Sequence, residues 1–273
     1  MVDKTMLVND LITQLKYSNI PNAKQEMYFF CNELLHLNRS DMLLLKEFTN
    51  KQAKILKNAV KQRCNHVPLQ LIVGRSSFMG LTILENKETL TPRPETELLA
   101  SIIIDEYKNT KAQILDMCSG SGCIGIALGK NGHNVTCVDV NNKALKSTKK
   151  NAQLNKVKVN LIKSDMFTKV KGTFDIIVSN PPYIPTKEIF NLQPEVKNYD
   201  PIIALDGGVD GFHFYKVISD QAHNYLKPNG VLYLECGKDQ AQTIKKLLSK
   251  NFKNITIIKD YNSIERFIKA EVK

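Results

Sequence analysis

No apolar run in the sequence approaches the roughly 18 residues that a membrane span requires, and a cytoplasmic chain is the expectation. The start carries Asp3 and Asp10 without an apolar core, so it does not read as a targeting peptide. The six cysteines (31, 64, 118, 123, 137 and 236) form no C-x-x-C pair and no disulfide-like spacing. They read as reduced, mostly buried thiols, and no bound metal is expected. There is also no basic run with interleaved aromatic residues, although the net charge is +11. Residues 1–88 hold 12 Lys and Arg against 8 Asp and Glu, and the remaining +7 is spread over the rest. The excess reads as solvated faces, and no stable nucleic-acid partner is expected.

With 273 residues, 42% of them hydrophobic, the chain can fill one large domain or two. Residues 1–67 read as a helical domain. Leu7, Leu11, Ile12 and Leu15 share one helical face, Pro21 is placed to open a second helix to about Leu37, and Ser40 can cap a third. Thr49 with Gln52 has the spacing of a capping box for a fourth, which carries Ile55, Leu56, Ala59 and Val60. Nothing here looks catalytic, and His36 and His66 are isolated. Recognition of a protein substrate is the expected role, with a packing module as the alternative. Pro68 should end the helices, and 68–90 reads as a β-hairpin linker turning at Gly80, with Phe78, Leu81 and Ile83 as its apolar positions.

From Thr91 to Lys273 a third region is expected. Thr91 to Glu97 precedes a helix through Leu98, Leu99, Ile102 and Ile103, and its acids suit a helix N-terminus. Strands and helices then alternate: a strand at Ile114–Leu115, a loop at 116–123, a helix to Gly129, a strand at Val135–Val140, a helix at Asn142–Asn155 and a strand at Val159–Ile162. Phe174 to Val178 reads as a buried parallel strand. This is an α/β, doubly wound pattern, in which ligands collect at the carboxyl ends of the strands.

Three strand ends carry the chemistry. Asp116-Met117-Cys118-Ser119-Gly120-Ser121-Gly122 permits close backbone approach at its glycines. It is neither G-x-G-x-x-G nor a P-loop, which would end in Gly-Lys-Ser/Thr. Asp139, some 20 residues on, is the kind of group that bonds ribose hydroxyls. After the Phe174–Val178 strand comes Asn180-Pro181-Pro182-Tyr183. Neither proline has a backbone donor, so this turn keeps rigid carbonyls that local bonds do not use up. Asn180 adds a side-chain acceptor and Tyr183 a flat face, a combination suited to a planar group bearing an NH2.

Residues 115–128, the Asp139 region with Asn151-Ala152, Asn180 to Tyr183, and Thr91 to Glu97 together resemble the class I S-adenosylmethionine-dependent methyltransferases. Within these, they resemble the protein-(glutamine N5) methyltransferases that modify peptide chain release factors. The likeness continues through Ala204 to Gly211 and Leu234 to Gln240, and so spans nearly all of residues 68–240. It implies a Rossmann-like, mostly parallel seven-stranded sheet whose last strand is antiparallel, with the final strands near Ile255–Ile258 and Arg266–Ala270. It also assigns Cys118, Ser119, Gly120, Ser121 and Gly122 to the amino-acid part of S-adenosylmethionine, Asp139 to its ribose, and Asp165 and Met166 to the surroundings of its adenine. Asn180, Pro181, Pro182 and Tyr183 fall to the substrate glutamine, which in the family belongs to a Gly-Gly-Gln loop, and Asn180 also to the cofactor. Cys118 departs from the glycine usual at its position.

The chemistry expected of such a site follows from the amide. Its nitrogen is a poor nucleophile, so Asn180 Oδ1 and the Pro181 carbonyl would orient it by accepting both N–H bonds, with Tyr183 holding the amide plane. A carboxylate would face two acceptors and be rejected. A monomer acting on release factors, with S-adenosylhomocysteine as coproduct, is the resulting expectation. The alternatives are a glutamine methyltransferase for a ribosomal protein, an adenine-N6 DNA methyltransferase, and a non-catalytic RNA- or ribosome-binding protein that keeps the cofactor fold.

Overall fold

A computed structural model describes all residues 1–273, which divide into two compact units. One unit comprises Met1–Arg75 with Pro194–Tyr199, and the other Ser76–Gln193 with Asp200–Lys273. No helix is long and apolar enough to cross a membrane.

The first unit is built from β1 (Val2–Asp3), α1 (Lys4–Tyr17), α2 (Ala23–Leu35), α3 (Arg39–Leu44), β2 (Glu47–Phe48), α4 (Asn50–Cys64) and α5 (Leu69–Val73). Leu7, Leu11 and Leu15 from α1, Met27 and Phe30 from α2, and Leu56 and Val60 from α4 form its core. The Thr49–Gln52 capping box is present in both directions. Three local expectations are corrected. Pro21 lies ahead of α2, whose N-cap is Asn22. The third helix is capped by Asn38, which forms a capping box with Asp41, because Asn38 has the extended backbone an N-cap needs while Ser40 lies inside the helix. Pro68 does not end the helices but is the N-cap of α5, a position where its missing N–H leaves nothing unsatisfied. The short β1–β2 pair, Val2 opposite Phe48, carries no periodic signal at two residues per strand. Within this unit Arg63 is buried against Glu26 at 2.7 Å and also donates to Glu195 at 3.1 Å, and His66 Nδ1 lies 3.3 Å from Glu195.

The hairpin β3 (Arg75–Phe78) and β4 (Leu81–Leu84) turns at Gly80 as expected. Next come α6 (Pro94–Tyr107), β5 (Gln113–Met117), α7 (Cys123–Lys130), β6 (Asn134–Asp139), α8 (Asn142–Leu154), β7 (Asn160–Lys163) and β8 (Phe174–Ser179). After α9 (Pro194–Lys197), which belongs to the first unit, follow α10 (His213–Gln221), β9 (Leu226–Glu235), α11 (Ala241–Leu248), β10 (Phe252–Lys259) and β11 (Glu265–Val272). Asn155 bonds both ways with the Thr82 backbone, and Asn151 Oδ1 accepts the Leu84 N–H, so β4 is docked on α8 by side-chain amides.

The seven-stranded sheet has the order β10-β11-β9-β8-β5-β6-β7. β11 runs antiparallel to both its neighbours and every other adjacent pair is parallel. The central strands are fully buried, so their sequences read as continuous apolar runs such as Ile176, Ile177 and Val178. Separate apolar layers cover the two faces: Ile114, Ile126 and Val178 belong to one, and Leu115, Ile177 and Tyr215 to the other. The chain winds outward from β5 through β6 to β7, then returns on the other side of β5 as β8 and β9. The direction reverses between β5 and β8, where doubly wound sheets bind ligands.

Candidate active site

Strand register brings the motifs together before any side chain is considered. Met117 pairs with Val138 on one side and Ser179 on the other, and Asp139 pairs with Lys163. Cys118, Asp139, Ser164 and Asn180 therefore leave the same sheet edge. Ser179 ties two of these exits by donating to the Met117 carbonyl at 2.7 Å.

The loop after β5 is held from outside. Thr148 Oγ1 donates to the Gly120 carbonyl at 3.0 Å and Asn151 Nδ2 to the Ser121 carbonyl at 2.9 Å, both from α8. Gly122 has φ +79°, and a Cβ there would meet Thr148 Cγ2 at 2.4 Å, so only glycine lets the loop lie this close to α8. Gly120 has open space where its side chain would be. Asp139 Oδ2 accepts the Gly120 N–H at 2.9 Å and Oδ1 the Asn141 N–H at 2.8 Å, while burial raises its pKa above the usual carboxylate range. Each oxygen keeps lone-pair capacity for a further donor. Cys118 adopts φ +60°, a left-handed conformation that favours glycine. Its thiol lies 3.9 Å from Met166 Sδ, and burial pushes its pKa far up, so it stays protonated.

Asp116 is buried beneath this loop. Its Oδ2 accepts the Gly125 N–H at 2.9 Å in the first turn of α7, and burial raises its pKa to about 7.

The Asn180–Tyr183 turn is enclosed by backbone. Gln240 Nε2 donates to the Tyr183 carbonyl at 2.9 Å, and the Ile184 and Gly207 amides bond to Leu205 and Ile184. A Cβ at Gly207 would stand 2.8 Å from Tyr183 Cα, and one at Gly211 would stand 2.5 Å from the Tyr183 carbonyl oxygen. These contacts give a physical reason for the Ala204–Gly211 and Leu234–Gln240 segments. They are the walls that let two prolines and a tyrosine follow a core strand. Burial pushes the Tyr183 phenol up to about 12, so its ring is neutral.

One cleft, open to solvent, gathers most of the sequence-predicted residues: Cys118, Ser119, Gly120, Ser121, Asp139, Asp165, Met166, Asn180 and Pro182. Gly122, Pro181 and Tyr183 lie outside its lining. No donor of the protein is bonded to Asn180 Oδ1 or to the Pro181 carbonyl. Two lining hydroxyls, Ser119 Oγ and Thr89 Oγ1, are buried without any partner.

Two further polar residues stand behind Asn180. Its Nδ2 donates to Thr96 Oγ1 at 3.1 Å, and Thr96 Oγ1 donates to Glu235 Oε2 at 2.8 Å. Both residues lie in segments that carry the family resemblance, and the acids around Thr96 suit a helix N-terminus in sequence. The contacts join α6 to the end of β9, which are 139 residues apart, and no local pattern reports such a pairing.

Residues 7–74 match the family "PrmC N-terminal domain" and residues 94–194 the family "Methyltransferase small domain". A release factor glutamine methyltransferase of Thermodesulfovibrio yellowstonii is 40% identical over 81% of this chain and 82% of its own length. Its namesake in Fusobacterium nucleatum is 38% identical over 97% of this chain and 78% of its own. Among solved structures, a methyltransferase from Pyrococcus furiosus superposes with a TM-score of 0.55 at 20% identity, over 82% of this chain and 98% of that one, which establishes likeness of fold. With two relatives above 30% identity spanning most of its length, the chain belongs to the release factor glutamine methyltransferase family.

Proposed function

We propose that this enzyme transfers a methyl group from S-adenosylmethionine to the side-chain amide nitrogen of the glutamine in the Gly-Gly-Gln loop of peptide chain release factors. The observation that carries the reading is Asn180, which lines the cleft together with the glycine loop and whose Oδ1 has no protein donor; the Pro181 carbonyl that follows it in the chain has none either. A primary amide has two N–H bonds to offer them.

The cleft fits the cofactor. Asp139 has lone pairs for ribose hydroxyls, the orphaned hydroxyls of Ser119 and Thr89 call for polar partners, and Gly120 leaves its side open. Cys118 to Gly122 would hold the amino-acid part, and Asp165 and Met166 the adenine. When bound, S-adenosylmethionine supplies an electrophilic methyl carbon on a sulfonium and leaves as the neutral thioether.

The residues of this chain then orient and stabilise. Asn180 Oδ1 and the Pro181 carbonyl hold the glutamine nitrogen in line and stabilise the positive charge that develops on it. Pro182 and Tyr183 restrict the amide plane. The methylated nitrogen then loses one of its two protons to solvent through the open cleft, so the site needs no strong base, in keeping with the neutral Tyr183 phenol and protonated Cys118 thiol.

Methyl transfer from labelled S-adenosylmethionine to purified release factor, beside its Gln-to-Ala variant in the Gly-Gly-Gln loop, tests the proposal. Label that vanishes in the variant supports it. Label appearing only on ribosomal protein or duplex DNA overturns the substrate, and no label with no cofactor binding overturns catalysis. Asn180→Ala should lower kcat about 100-fold or more while changing cofactor affinity little. Equal losses in both would refute the assignment.

A further inference from the structure

The two ends of the Asn180 amide have nearly the same shape, and only hydrogen bonding decides which one faces the cleft. Thr96 Oγ1 receives the Asn180 Nδ2 donor at 3.1 Å and gives its own single proton to Glu235 Oε2 at 2.8 Å. With that proton committed, Thr96 can only accept from Asn180. The NH2 end is thereby held inward and Oδ1 is left as the exposed acceptor. Thr96 is 4% exposed and Glu235 3%, so bulk water does not replace either bond.

We propose that Glu235, acting through the Thr96 hydroxyl, is the positioning residue that fixes the orientation of Asn180 and thereby selects a substrate NH2 over an oxygen. The inference rests on the role given to Asn180 above. A protonated Glu235, or a glutamine in its place, can itself donate to Thr96 Oγ1. The hydroxyl proton is then free to turn toward Asn180, and the flipped amide becomes equally satisfied. A flipped Asn180 would point two donors at the two donors of the substrate amide.

Burial pushes the Glu235 carboxyl up to about 7, close to where the enzyme must work. The Thr96 hydroxyl, the charge of Arg266 on β11 and the Asn180 amide itself favour its charged form, and Glu95 in the first turn of α6 opposes it. Tyr183, Tyr215 and Cys236 also face it, all with raised pKa values and therefore neutral. The orientation of Asn180 is thus coupled to a single proton.

The test measures kcat and KM for release factor and for cofactor between pH 5.5 and 8.5 in the wild type, Glu235→Gln, Thr96→Val and Thr96→Ser. The wild-type kcat should rise through an inflection near neutrality. Glu235→Gln should lower it roughly tenfold at pH 8, the scale of one charge-assisted hydrogen bond, and abolish the inflection, with cofactor KM unchanged. Thr96→Val should match that loss and Thr96→Ser should recover most of it. In an Asn180→Ala background, Glu235→Gln should add nothing. Additive losses there, or an unaltered pH profile in Glu235→Gln, would overturn the proposal. A readout independent of any substrate is the side-chain 15N shift of Asn180, which should titrate in the wild type and stay flat in Glu235→Gln. If no release factor is methylated, the proposed function fails, and this titration still decides whether Glu235 governs Asn180.

Discussion

Replacing Gly207 by alanine places one methyl carbon where the Asn180–Tyr183 turn has no room. The added Cβ would sit 2.8 Å from both Tyr183 Cα and its carbonyl carbon and 2.9 Å from the Pro182 oxygen. Carbon atoms in contact rest about 3.5–4.0 Å apart, so something must give by roughly 0.7 Å or more. All three neighbours are backbone, with no flexible side-chain end to swing aside. Gly207 has an ordinary φ, so alanine adds no backbone strain of its own, and the whole effect falls on the turn. A displacement near 1 Å in a positioned reacting group lowers rate about 100-fold, equivalent to about 2.7 kcal/mol in the activation barrier. The loop at Cys118–Gly122 and Asp139 are anchored by separate bonds to α8 and Asn141, so cofactor affinity should stay within about threefold.

The assay is steady-state methyl transfer to release factor, with cofactor binding by calorimetry and a thermal melt for each variant. Gly172→Ala is the control. Its φ is +82° and nothing lies within 4 Å of the added Cβ, so it should lose stability, by about 1 kcal/mol, and leave kcat unaltered. A Gly207→Ala enzyme with kcat within twofold of wild type would refute the claim that this glycine shapes the turn. So would cofactor binding weakened as much as kcat.

Two further outcomes follow from the site's buried groups. Cys118→Gly removes a left-handed strain of about 1–2 kcal/mol but gives back part of it as unfolded-chain entropy, so the variant should melt at or slightly above the wild-type temperature, with cofactor affinity little changed. A loss above about 2 kcal/mol would show that the thiol contact with Met166 outweighs the strain. For Asp116, a folded pKa of about 7 lies above its unfolded value near 4, so the folded state binds the extra proton between them. Its contribution therefore favours folding below that window and is lost as pH rises toward 7, at up to about 1.4 kcal/mol per pH unit. In urea unfolding between pH 5.5 and 7.5, Asp116→Asn should show a smaller loss of stability than wild type, by about 2 kcal/mol. Identical slopes would place the effect on other groups.

Much of the candidate site was legible because its parts are local. A glycine loop, an acid ending the next strand and an Asn-Pro-Pro-Tyr turn are contiguous in sequence, and each announces its own backbone demand. Helices with a full apolar face, such as α1 and α4, were equally readable, as was the Thr49–Gln52 cap. Helix boundaries are less legible. Ser40, Pro21 and Pro68 are each acceptable in more than one position near a helix start, and the neighbouring Asn38 and Asn22 decided the matter.

The sequence by itself thus determined the α/β class, the residues at the strand ends and the chemical character of the turn, because periodicity and fixed φ angles act over a few residues. Tertiary structure alone decided which of those residues share a cleft, since this depends on the registers Met117–Val138 and Met117–Ser179 between strands distant in the chain. It also decided that α9 joins the first unit, through Glu195 bonding to Arg63, and that Thr96 and Glu235 stand behind Asn180. Hydrogen bonds across more than a hundred residues leave no trace in local pattern. They arise only when the sheet order has closed.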